Sequence, residues 1–142
     1  MQVRTEVEIA APPERVWEVL VDFARYPEWN PFMVKIDGSP KEGAQLNVLM
    51  ALPDGSEHRV RPTLLKVVPA RELRWVGRVG ADFLLRAEHS FELSSNDGGH
   101  TILHHNEDFR GVLVKLITRT LVHTARAFVG MNEALKKRVE QS

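Results

Sequence analysis

Residues 10–32 read AAPPERVWEVLVDFARYPEWNPF, and the fold follows from how this stretch sits between its neighbours. Pro12-Pro13-Glu14 starts a helix, because proline is tolerated in a first turn and an acid there favours the positive end of the dipole. Val16, Trp17, Leu20 and Val21 follow at helical spacing and carry the helix to about Asp22. Asp22 suits the cap of a second short helix, Phe23 to Tyr26, which Pro27 and Pro31 close, leaving Trp29 at a bend. On both sides the period becomes two. Val3, Val7 and Ile9 alternate with Arg4, Glu6 and Glu8 before the stretch; Phe32, Val34 and Ile36 alternate with Met33, Lys35 and Asp37 after it. Two short helices are therefore inserted after the first strand of a sheet.

Further along, the turns set the pairing. Pro53-Asp54-Gly55 suits a three-residue hairpin loop with Gly55 in the left-handed position. That register puts Leu46, Val48 and Met50 opposite Pro62, Val60 and His58 on the inner face. Beyond Pro62 the apolar positions switch to Leu65 and Val67, which predicts a bulge near Pro62 or Thr63. Leu73 and Trp75 open another strand, and Gly77 to Asp82 reads as a corner. Around Ser95-Asn96-Asp97-Gly98-Gly99, pairing Ser94 with His100 sets Phe91 against Leu103, His89 against His105 and Ala87 against Glu107 on one face. The other face is solvated and pairs Arg86 with Asp108. After Gly111 no proline occurs, and Leu113, Ile117, Thr120, Thr124, Phe128, Met131 and Leu135 recur at three or four. A long C-terminal helix is expected, with Lys136-Lys137-Arg138 at its negative end.

Composition narrows the function classes. The 142 residues suit one domain, 1–142. Nineteen Lys plus Arg balance nineteen Asp plus Glu, so no basic field is available to hold nucleic acid by counterion release. The absence of cysteine removes disulfides, thiolate zinc sites, iron–sulfur clusters and cysteine nucleophiles. The longest apolar run, Val48 to Leu52, is far short of the roughly 17 to 25 residues of a membrane helix, so stable membrane insertion is not expected. The opening Met-Gln-Val-Arg-Thr-Glu does not read as a signal peptide, and the expectation is a cytoplasmic protein. No Ser-His-Asp order, Gly-rich phosphate loop or glycosidase-like carboxylate pair is legible, which leaves nucleotide binding and phosphoryl transfer unsupported. A homodimer is permitted but not indicated.

The order of elements, the segment from Pro12 to Phe32, the Glu-Leu-Arg-Trp strand at 72–75 and the Glu-Asp-Phe-Arg-Gly stretch at 107–111 together resemble the START-like or SRPBCC (Bet v 1-like) superfamily, in its polyketide cyclase/dehydrase-like branch. The likeness spans essentially the whole chain. It implies an α+β helix-grip fold, a curved antiparallel sheet of about seven strands wrapped around the long C-terminal helix, with an apolar cavity between them. The superfamily hosts carriers of apolar ligands, aromatic cyclases and Hsp90-activating domains, so fold alone does not select among them. The resemblance implies neither a metal nor a cofactor.

The candidate site lies on the concave face of the last hairpin. His89, His105 and Glu107 converge there among Phe91, Leu103 and Phe109. This pattern suits a polar anchor for an apolar small-molecule ligand; it also suits an acid–base pair, His89 and Glu107 being the catalytic candidates. Two histidines and a carboxylate match the composition of a facial metal triad as well, a weakly specific signal. His58, Met50, Val60, Trp75, Trp29 and Phe128 are candidates for lining or rimming the cavity. Thr120 and Thr124 place hydroxyls on the core stripe of the last helix, where each needs a partner. Binding of a lipid-like or polyketide-like molecule is the first expectation. A cyclase- or dehydratase-type enzyme and an Hsp90-activator-like interaction module are the alternatives.

Overall fold

The computed structural model describes residues 1–81 and 83–141, with the side chains of Arg119 and Thr120 outside the description. Strand β1 (Gln2–Ile9) leads into α1 (Pro13–Val21), a short 3-10 helix (Phe23–Glu28) and β2 (Met33–Asp37). Then follow β3 (Asn47–Ala51), β4 (Glu57–Val60), β5 (Thr63–Val68), β6 (Glu72–Val79), β7 (Leu85–Ser95) and β8 (Thr101–Arg110). A second 3-10 turn (Val112–Ile117) precedes α2 (Thr118–Glu140), so the expected single helix after Gly111 starts five residues later than its apolar stripe, which begins at Leu113. The strands order as β1-β8-β7-β6-β5 and β2-β3-β4, all antiparallel neighbours, with α2 packed on β1 and α1. The chain is α+β with the expected helix-grip layout, a sheet wrapped on one long helix.

Eight strands form where about seven were expected, because Pro62 has no N–H to give the ladder and divides 57–68 into β4 and β5. The two sheets stay joined there: Leu46 N–H donates to the Pro62 carbonyl and Leu64 N–H to the Ala44 carbonyl. The bulge falls at Leu65, later than predicted, so Leu64 and Val67 face inward with Trp75 and Leu73 while Leu65 turns out. A second bulge between Met33 and Lys35 brings Met33 and Ile36 inward together, where strict alternation predicted opposite faces. Asp22 makes no cap hydrogen bond; it pairs with Arg25, and the short helix continues through Pro27 to Glu28.

The first hairpin register is as predicted, with Val48 opposite Val60 and Met50 opposite His58. The last one differs. Ser95 pairs with Thr101, and Asn96 closes the loop by accepting from the N–H groups of Gly98 and His100, with Gly99 at φ +77°. Relative to the predicted register each residue slips by two on the partner strand. His89 therefore opposes Glu107, Phe91 opposes His105, and Leu93 opposes Leu103. A two-residue slip preserves which side chains share a face, so the inner set is unchanged. On the outer face the expected Arg86–Asp108 pair is replaced by Arg86–Glu88 and Arg110–Asp108, beside an Arg74 bridged to Glu72, Glu88 and Glu92.

Gly111 turns the chain from β8 into the 3-10 segment at φ +122°, and a Cβ there would strike the Leu84 carbonyl. Both the conformation and the space demand glycine. Gly111→Ala is expected to cost about 2 kcal/mol, read as a lowered urea midpoint at unchanged slope.

Candidate functional site

The inward faces of both sheets do not close on α2. Between them lies a cavity of about 680 Å³, large enough for a small organic ligand. Phe32, Met33, Val48, Met50 and Val60 line it from one sheet, and Trp75, Gly77, Ala87 and Phe109 from the other. Its polar groups are His58, His89, Glu107 and Thr124, with Arg59, Arg61 and Arg78 also along the lining.

His89 on β7 and His105 on β8 are 2% and 0% exposed. Their Nε2 atoms are 2.7 Å apart, a hydrogen-bond distance. His89 Nδ1 lies 3.4 Å from Glu107 Oε2, across the β7–β8 pair. Behind this pair the polar chain continues into the core. His105 Nδ1 meets Asn132 Oδ1 of α2 at 2.8 Å, Asn132 Nδ2 donates to Thr5 Oγ1 at 2.8 Å, and Thr5 Oγ1 donates to the His105 carbonyl at 2.7 Å. Aromatic rings pack around it: Phe128 lies flat on His105 at 4.1 Å, Phe91 on its other flank at 4.3 Å, and Trp75 on His89 at 5.1 Å. Burial, and then the neighbouring His89, hold the His105 pKa well below the ordinary histidine value, so His105 is neutral.

Of the predicted site residues, Met50, His58, Val60, Trp75, His89, Glu107 and Thr124 lie along the cavity wall. His105, Phe91, Leu103 and Phe128 are fully buried and lie outside the lining; His105, Phe91 and Phe128 pack behind His89. Trp29 does not join them. It packs edge-on against Tyr26 and borders a separate polar groove with Arg15, Glu18, Asp22, Arg25 and Arg138. The Thr120 side chain falls outside the described residues. A metal does not fit between the histidines. Two imidazoles bound tetrahedrally to one zinc stand about 3.3 Å apart at the nitrogen atoms, and here the gap is 2.7 Å. Among the described residues no group of three or more His, Asp or Glu is arranged to hold a metal ion.

Two members of the polar chain escaped the sequence reading. Thr5 shares the parity of Val3, Val7 and Ile9, and Asn132 lies one turn beyond Phe128 on the buried stripe of α2. A polar side chain on an apolar face is the signal that identifies both. No described helix is long and apolar enough to cross a membrane.

Among solved structures, the Zhui aromatase/cyclase from Streptomyces sp. R1128 superposes with a TM-score of 0.81 at 18% identity, covering 99% of this chain and 94% of that one. A START superfamily protein from Mycobacterium smegmatis gives 0.68 at 24% identity, over 99% and 97% of the two chains. Protein MLL2253 from Mesorhizobium loti gives 0.77 at 22%, over 100% and 98%. At these identities the likeness establishes a common fold. No curated protein sequence matches the chain. Residues 1–140 do match a family model described as polyketide cyclase / dehydrase and lipid transport, and with nearly its whole length matched the chain belongs to that family.

Proposed function

We propose that this protein binds a hydrophobic or aromatic small molecule in the cavity between sheet and helix, with His89 and Glu107 meeting its polar end. The observation that carries this reading is the cavity itself. About 680 Å³ of space with a mostly apolar wall and a polar pair, buried His89 beside half-buried Glu107, is the usual form of a small-molecule site. Family membership supports a ligand-binding or cyclase-type role in general. The ligand is held by apolar contact along Met50, Val60, Trp75 and Phe109, and is oriented at the floor.

Fluorescence titration with N-phenyl-1-naphthylamine tests this, alongside native against denaturing mass spectrometry of the fresh protein. Saturable one-to-one enhancement, with displacement by an apolar extract of the protein, is the expected result. No enhancement together with no retained mass would remove the proposal.

A second reading, acid–base turnover of the cyclase or dehydratase type, is favoured by the contact between His89 and Glu107 at the cavity wall. It requires His89→Ala to abolish turnover of an added polyketide-like substrate while dye affinity survives.

A further inference from the structure

The polarity of the buried chain can be read from one end to the other. The His105 backbone carbonyl can only accept, so the Thr5 hydroxyl donates to it and must itself accept from Asn132 Nδ2. The Asn132 oxygen is thereby turned to His105 Nδ1, which carries a hydrogen. A neutral His105 with hydrogen on Nδ1 has a lone pair on Nε2, and the 2.7 Å contact then requires His89 to donate from its own Nε2. His89 Nδ1 remains, facing Glu107 Oε2 at 3.4 Å. Any proton on that side lies between the two groups and is spent on their contact, and without one both atoms are acceptors. In either case no donor is left for the cavity. The second oxygen of Glu107 makes no hydrogen bond among the described residues, and Glu107 lines the cavity.

We infer that the His89–Glu107 pair offers the ligand an acceptor only, and that the site takes an apolar aromatic molecule ending in a hydroxyl, of the phenol class, in preference to the matching ether. Asn132 and Thr5 are positioning residues, since they set the His105 tautomer and touch no ligand. This inference rests on the cavity being the binding site. An aromatic body fits a wall carrying Phe32, Trp75 and Phe109, and an O–H directed at the free Glu107 oxygen finds an acceptor in either arrangement, a charge-assisted one where the carboxyl is ionised. A methyl ether in the same place has no hydrogen to give and leaves the acceptor unpaired.

The test compares 2-naphthol with 2-methoxynaphthalene by titration. In the unmodified protein the naphthol is expected to bind about tenfold more tightly or better. His89→Phe combined with Glu107→Leu removes both acceptors at the wall and should reduce that ratio to about twofold or less. Glu107→Gln should keep the preference, because the amide can donate N–H to His89 Nδ1 and turn its oxygen to the cavity. Nitrogen NMR should find the His105 Nδ1 protonated and its Nε2 bare. Equal affinity for the two compounds in the unmodified protein, or a preference that survives loss of both His89 and Glu107, would overturn this inference and leave the cavity reading standing. If neither compound binds, this inference falls, and the dye titration and the retained mass decide the cavity reading.

Discussion

Gly77→Trp is expected to lower the affinity for N-phenyl-1-naphthylamine about 100-fold, a change of roughly 2.7 kcal/mol, with the fold intact. Gly77 lies on β6 in register with Ala87 of β7, shares the inward parity of Trp75, and lines the cavity. A Cβ added there meets nothing within 4 Å, and its φ is not in the left-handed region. A side chain at this position therefore enters the empty space and leaves the core unstrained. Strands also favour aromatic residues over glycine, so the melting temperature should hold or rise. The double-ring indole then occupies volume that the dye needs. Circular dichroism and a thermal melt show that the variant folds; the titration reads the loss. Undiminished affinity in a folded variant would mean that the dye binds elsewhere, and the cavity would lose its claim to the function.

How far the sequence carries the reader depends on whether a signal is local. Periodicity identified α1, the inward face of β1 and the inward set of the last hairpin, because face membership depends only on parity where no bulge intervenes. The exact partner depends on the loop, and there Asn96 decides the matter by binding two backbone N–H groups. Without that contact Ser94 opposite His100 is equally reasonable, which placed His89 against His105 instead of Glu107. Bulges were harder still. Leu64 and Leu65 are indistinguishable by hydropathy, and only packing against Trp75 selects the inward one. The site was legible where it lies on one hairpin and illegible where distant elements meet. Asn132 and Thr5 are 127 residues apart and share a hydrogen bond. Phe128 was expected along the cavity, yet it packs flat on His105, a fact fixed by how α2 crosses the sheet. Trp29 shows the converse error, since a bend after a helix end gives no direction for its indole.

Phe128→Ala is expected to cost about 3–5 kcal/mol near pH 8, and the cost should shrink on acidification. Phe128 is fully buried, with its ring 4.1 Å from His105, 4.9 Å from His89 and 5.6 Å from Phe32. Truncation leaves a void that the surrounding strands cannot collapse into, which sets the size of the loss. The pH dependence follows from His105. Its folded pKa lies below the unfolded value of about 6.5, so the unfolded chain binds the proton more readily. The stability gained by keeping this ring neutral is complete above that value and is lost as pH falls below it. In Phe128→Ala water reaches the ring, burial penalises its charge less, and the variant loses less on acidification than the parent. Urea unfolding at pH 8, 6.5 and 5 measures the gap between the two proteins, which should narrow in that order. In a His105→Gln background the gap should narrow less with falling pH, because the ring lying flat on Phe128 is gone and His89 alone remains beside it at 4.9 Å. A gap that stays constant in the parent background would mean that Phe128 does not shield His105, and the proton accounting of the whole buried chain would lose its starting point.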